Sequence, residues 1–324
     1  MSAPPPPAIE ARGLTRVFGG GRSLLGVRRP GVHAAQDVSL AAHAGRTLGV
    51  VGESGCGKST VARMLAGLDR PTKGAVLLDG EDVTARRGVA ERARRVQYVF
   101  QDPIASLNPR KTIRQTLEAP MRRLLGMGAP ARAARLDDLM AAVGLRAAFL
   151  DRHPHEFSGG QAQRIAIARA LAAEAKVVVL DEPVSALDVS VQAQVLTLLK
   201  RLRAELGLTL VFISHDLAVV ETISDDLAVM YFGRVVEAGP ARAVYAAPRH
   251  PYTDLLLRSA PRPGVERLEA ERGAADLPDP LAPPPGCAFA ARCPRAEPRC
   301  RAERPELDEG GDDGARVACW RPLR

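Results

Sequence analysis

Nine residues, Gly52-Glu53-Ser54-Gly55-Cys56-Gly57-Lys58-Ser59-Thr60, place a lysine and two hydroxyls after spaced glycines in the pattern G-x-x-x-x-G-K-[ST]. Glycine lets backbone N–H groups turn in on phosphate oxygens without a Cβ in the way. Lys58 is then placed to reach β- and γ-phosphates, and the Ser59 hydroxyl to hold Mg²⁺. Thr47–Val51 reads as a buried strand entering the loop and Val61–Leu68 as a helix leaving it, whose N-terminus adds positive potential on the same anion. A glycine-rich turn matching by chance requires neither flank. The stretch is read as a nucleoside triphosphate site.

Other residues gain meaning beside it. Val177–Leu180 is a continuous apolar run, the pattern of a strand covered on both faces, and it ends in Asp181-Glu182. Carboxylates there stand where open α/β sheets place their ligands, Asp181 for Mg²⁺ and Glu182 to polarise an attacking water. Gln101 follows the strand-like Val96–Phe100; it reads equally as a solvated turn residue and as a sensor of Mg²⁺ or water. Leu208–Ile213 is another buried strand, ending in Ser214-His215-Asp216. His215 is either solvated or, at the same sheet edge, in reach of a γ-phosphate. Phe157-Ser158-Gly159-Gly160-Gln161 opens a periodic helix with Ser158 as N-cap. Taken alone it is as much an ordinary capped start as a dock for an anion.

The elements that must carry these residues alternate strand and helix. Ile9–Val17, Val38–Leu40 and Ala75–Gly80 read as further strands, and the glycine-rich, basic stretch from Phe18 to Gly31 as a loop. Strands vanish between Ile104 and Phe157, where Thr112–Leu125 and Ala131–Val143 read as helices of an insertion. Residues 1–8, mostly proline and small residues, are expected to be disordered. At 324 residues and 46% hydrophobic content the chain has room for about two domains. No apolar run approaches the ~20 residues that span a bilayer, and the uncharged N-terminus is not a signal peptide, so a cytosolic chain is expected. The net charge is +8, with five lysines among 45 basic residues scattered along the chain. Composition alone leaves anionic lipid and nucleic acid open as partners.

Together the motifs resemble the ATPase subunit of an ABC transporter from about Ile9 to Pro240. Gly52–Thr60 stands as its Walker A loop, Gln101 as its Q-loop residue, Phe157–Gln161 as its signature, Asp181-Glu182 as Walker B, Ser185-Ala186-Leu187-Asp188 as its D-loop and His215 as its switch histidine. Phe157 departs from the leucine many members have, and Phe18 resembles the aromatic that stacks on adenine. The resemblance implies an α/β P-loop fold with a mainly parallel core sheet, N-terminal antiparallel strands, a helical insertion over about 104–172 and a C-terminal extension over 241–324. It also implies two nucleotide domains paired head to tail, so that Ser158, Gly159, Gly160 and Gln161 of one, with Asp188, meet the ATP and Mg²⁺ held by the other.

A narrower resemblance rests on Val99–Arg110 and on His250-Pro251-Tyr252-Thr253 with Leu255-Leu256-Leu257, which look like the oligopeptide/dipeptide/nickel importer ATPases; the loop after Phe18 looks like that of their F-type subunit. It implies two transmembrane permeases, a D-type partner ATPase, an extracytoplasmic binding protein, a place at the cytoplasmic face of the membrane and no nucleic-acid partner. Four of the five cysteines, Cys287, Cys293, Cys300 and Cys319, cluster in the last forty or so residues, in a spacing that matches neither close zinc pairs nor ferredoxin runs. In a reducing compartment the cluster favours a metal staple, zinc or iron–sulfur, over free thiols. Some members of the resembled family bind a [4Fe-4S] cluster there. Cys56 reads as a small filler of the loop. The rival reading is an ABC ATPase acting on nucleic acid or ribosomes with the cysteine tail as a metal-stapled module; 4% aromatic content offers little stacking surface for it.

Overall fold

The structure is a computed structural model describing residues 5–22, 28–84, 88–259, 278–308, 310–311 and 313–323. β1 (Ile9–Arg22) and β2 (Arg28–Ala42) form a long antiparallel hairpin, Ile9 opposite Ala42 and Gly19 opposite Gly31. This corrects the loop expected from Phe18 to Gly31. Glycines weaken the side-chain signal of a strand, yet the ladder is built from backbone groups that glycine has. Residues 23–27 of that expected loop, 1–4 of the expected disordered N-terminus and 260–277 of the extension lie outside the described residues. Ala8, expected to be disordered, is buried and its carbonyl accepts from the Asp79 N–H.

β3 (Thr47–Val51) is buried throughout and leads through the glycine loop into α1 (Lys58–Leu65). β4 (Lys73–Leu78) and β5 (Glu81–Asp82) complete a four-stranded antiparallel sheet in the order β2-β1-β4-β5. After α2 (Val89–Arg95) and β6 (Val96–Val99) comes the helical part: α3 (Ile113–Arg123), α4 (Ala129–Ala142) and α5 (Gly159–Leu171). α3 starts where Thr112 and Gln115 satisfy each other's backbone donors in a capping box, and it keeps Pro120 inside. β7 (Val177–Asp181) then returns to the core, followed by α6 (Val189–Leu206), β8 (Thr209–Ser214), α7 (Leu217–Ile223), β9 (Asp226–Tyr231) and β10 (Arg234–Pro240). The chain ends with α8 (Ala241–Ala246), α9 (Pro251–Ser259), α10 (Pro298–Ala302) and β11 (Arg316–Val317).

The core sheet has the order β11-β10-β9-β3-β8-β7-β6, parallel from β9 to β6. Continuous apolar strands suit it because both faces are covered. Leu180 and Phe212 pack with Ile165 and Leu199 on the helical side, while Val179 and Val211 pack with Ile9 and Met64 on the other. β11 pairs with β10, Val317 opposite Glu237, so the C-terminal region adds a strand to the core sheet. Among the described residues no helix is long and apolar enough to cross a membrane.

Candidate active site

Parallel strands end on one edge of the sheet, and their next residues form the site. β3 delivers Gly52 and the glycine loop. Gly57 takes φ +101° at the start of α1, where a Cβ would lie 2.1 Å from the Ala34 carbonyl oxygen, so only glycine fits. Lys58, 4% exposed, donates from Nζ to the carbonyls of Gly52 (2.8 Å) and Glu53 (2.9 Å). Cys56 is buried with Sγ 3.8 Å from that ammonium, and burial pushes its thiol up. Ser54, Gly55 and Thr60 complete the loop and the first turn of α1.

Asp181, at the end of β7 and 6% exposed, has both oxygens occupied: Oδ1 accepts from Ser59 Oγ at 2.9 Å and Oδ2 from Tyr98 Oη at 2.6 Å. The Tyr98 phenol is driven far upward by burial and then by this bond, so it stays a donor. Sequence reasoning passed over Tyr98 as one more strand residue. The available signal was a tyrosine in a buried strand, whose hydroxyl must find a partner.

Glu182 sits in the left-handed region, φ +47°, with its N–H donating to the Ile213 carbonyl at 3.0 Å. A non-glycine residue held there stores of order 1–3 kcal/mol of strain, a cost met with at functional sites. The turn aims its carboxylate between two side chains: Gln101 Nε2 donates to Oε2 at 3.1 Å, and His215 Nδ1 lies 3.2 Å from Oε1. Gln101 follows β6, Glu182 follows β7 and His215 follows β8, so neighbouring strands bring the three together.

Ser158 caps α5 in a reciprocal capping box with Gln161, their bonds 3.4 and 3.2 Å long. Gly160 packs against α6, where a Cβ would meet Val191 Cγ1 at 2.4 Å. Asp188 caps α6, accepting from the Val191 N–H at 2.9 Å and Ser190 Oγ at 2.7 Å, which hold its carboxyl below the usual range. Among the described residues no hydrogen bond joins Ser158–Gln161 to Gly52–Thr60. Phe18 is exposed on β1 with the Arg16 guanidinium 4.5 Å above its ring.

In the C-terminal region Cys287, Cys293, Cys300 and Cys319 line one small pocket of about 10 Å³ with His250 and Phe289. The Cys287 N–H donates to the Cys300 carbonyl at 2.8 Å, which draws the first and third cysteine together. Burial pushes the thiols of Cys287 and Cys293 up, and that of Cys319 to about 11. Among the described residues no group of three or more His, Cys, Asp or Glu side chains closes on a single metal position, so the arrangement does not by itself show zinc or iron.

A glycine loop and paired carboxylates at the ends of parallel strands, with a helical part inserted between them, define an ATP-binding cassette. Residues 35–185 match the family described as ABC transporter, and residues 236–300 the oligopeptide/dipeptide transporter, C-terminal region. The chain is 47% identical over 318 residues to the dipeptide transport ATP-binding protein DppF of Haemophilus influenzae, covering 97% of this chain and 96% of that protein. It is 48% identical over 286 residues to the oligopeptide transport ATP-binding protein OppF of Escherichia coli, covering 85% and 84%. Among solved structures, the dimeric post-hydrolysis state of the ATP-binding cassette MJ0796 bound to ADP and Pi matches with a TM-score of 0.64 and 28% identity, over 72% of this chain and 99% of that one. The chain belongs to the ABC transporter ATPases, in the branch that carries this oligopeptide/dipeptide C-terminal region. It is an ATP-hydrolysing subunit.

Proposed function

We propose that this ATPase energises peptide import, pairing head to tail with a second, D-type ATPase beneath two membrane permeases fed by an extracytoplasmic binding protein. The observation that carries this reading is the presence in one chain of a complete cassette and the peptide-transporter C-terminal region, matched end to end by a dipeptide transport subunit. Its place is then the cytoplasmic face of the membrane. The nucleic-acid reading draws no support from these relatives.

In this reading the loop amides, Lys58 and the N-terminus of α1 hold the triphosphate, and Thr60 follows in the first turn of the helix. Ser59, Asp181 and Gln101 would offer oxygen donors to Mg²⁺, which would supply charge neutralisation on the phosphates. Asp181 is oriented by its bonds from Ser59 and Tyr98. Glu182 accepts a proton from the attacking water, which it shares with Gln101, while His215 contacts the transferred phosphoryl. Ser158 to Gln161 and Asp188 serve the partner's nucleotide, in keeping with the missing link between signature and Walker A within one chain. Phe18 stacks on adenine once the Arg16 guanidinium moves aside.

A groove of about 550 Å³ beside α2 and β6 supports the permease partner. Its wall exposes Leu68 (49%), Val89 (68%) and Phe100 beside Asp69 and Arg70, an apolar surface with a charged edge. A short amphipathic helix of a permease fits such a surface. Leu68→Glu is expected to remove the permeases from preparations pulled down through this chain while leaving its ATPase activity intact; permeases retained at the unaltered level would contradict this placement.

Four cysteines gathered around one pocket are the reason to read a metal staple there, a [4Fe-4S] cluster or zinc. Anaerobically purified chain is expected to carry iron or zinc, lost in Cys300→Ser. Elemental analysis finding neither iron nor zinc would overturn the metal staple.

A further inference from the structure

We propose that Arg292, from the C-terminal region, is a positioning residue for the Walker A loop of the same chain. Its contact is Glu53, the second residue of the loop. Arg292 Nη1 donates to Glu53 Oε2 and Nη2 to Oε1, both at 2.9 Å, the bidentate fork that fixes direction as well as distance. The backbone N–H of Glu53 donates to Tyr252 Oη at 2.9 Å, and its carbonyl accepts from Lys58 Nζ at 2.9 Å. Every polar group of Glu53 is therefore engaged, two of the three by residues far along the chain in the C-terminal region. The third partner is the lysine that meets the phosphates.

Arg292 is itself held rigidly. Tyr231, Tyr252 and Phe289 are fully buried and pack against one another with ring centroids 4.5–5.4 Å apart. The guanidinium lies 5.8 Å from the Tyr231 ring and 5.7 Å from the Phe289 ring, and Nη1 also reaches Tyr231 Oη at 3.4 Å. Its backbone N–H donates to the Phe289 carbonyl at 2.9 Å, and its neighbour Cys293 lines the cysteine pocket. The fork thus ties a rigid aromatic wedge to a loop rich in glycine, whose ordering costs more conformational entropy than that of any other residue.

Two consequences follow for ATP. A loop ordered in advance binds phosphate with less entropy left to lose. Arg292 also neutralises a carboxylate placed beside a site for a highly charged anion. Both act on binding of the ground state and the transition state alike, so Arg292 is expected to set nucleotide affinity and to leave the hydrolytic step almost alone. That split separates positioning of the loop from a catalytic part and from general support of the fold.

The test uses the full-length chain, with binding read from a fluorescent ATP analogue and turnover at saturating ATP. Arg292→Ala is expected to weaken binding about tenfold with kcat within about twofold. In a Glu53→Ala background the same change is expected to cost less than about twofold, because the contact it acts through is gone. Arg292→Lys, which keeps the charge but loses the fork, is expected to recover most of the affinity. Should the alanine variant fail to fold, Arg292→Lys carries the test through a loss of about threefold that vanishes in the Glu53→Ala background. Unchanged affinity in Arg292→Ala would overturn the proposal, as would an equal loss in both backgrounds or a parallel fall in affinity, kcat and thermal midpoint.

Discussion

Glu182→Gln is expected to bind ATP within about twofold of the unaltered chain and to hydrolyse it at least ~100-fold more slowly, the scale of removing a positioned general base. The substitution is nearly isosteric. Backbone strain at φ +47° and the N–H bond to Ile213 are properties of the turn, and both persist. The amide oxygen still accepts from Gln101 Nε2, so the side chain keeps its place between Gln101 and His215. What it loses is the capacity to take a proton from water. Turnover measured at saturating ATP, beside an equilibrium binding measurement, separates the two effects. Turnover near that of the unaltered chain would remove Glu182 from its role.

Lys58→Ala is expected to act on the other quantity, weakening ATP binding at least ~100-fold. Hydrogen bonds to charged groups contribute roughly 1.5–3 kcal/mol each, and the ammonium has two phosphates to serve, so about 3 kcal/mol or more is lost. Each 1.4 kcal/mol is about a factor of ten in affinity. Burial sharpens the effect, because a side chain 4% exposed is weakly screened by solvent. The cost to the fold is smaller, since Nζ bonds only within its own loop, to the Gly52 and Glu53 carbonyls and near the Cys56 sulfur. Titration calorimetry of the purified variant gives the affinity directly, and binding within tenfold of the unaltered chain would contradict the assignment.

The residues legible in the sequence were those whose chemistry is compressed into consecutive positions. The glycine loop is one turn between one strand and one helix, and Asp181-Glu182 ends an apolar run, so both carry their context with them. Gln101 and His215 were ambiguous because their meaning comes from Glu182, which reaches them only through strand order in the sheet. Tyr98 was invisible as a partner of Asp181 because 83 positions separate them. The hairpin beyond Phe18 was misread because glycine hides a strand whose bonds are all backbone. Arg292 was one arginine among many. Only the fold places it on Glu53, 239 positions away, and gathers cysteines of irregular spacing around one pocket.

In the proposed reading this chain is one half of an ATP-driven importer, with its partners supplying the signature contact and the work. The most direct test is a mild-detergent pull-down of this chain from its own cell membranes, with each co-purifying protein identified. Two polytopic permeases and a second ABC ATPase of a different sequence are expected to come with it, released by Leu68→Glu. Ribosomes or DNA-processing proteins in their place, with no permease, would contradict the transport reading.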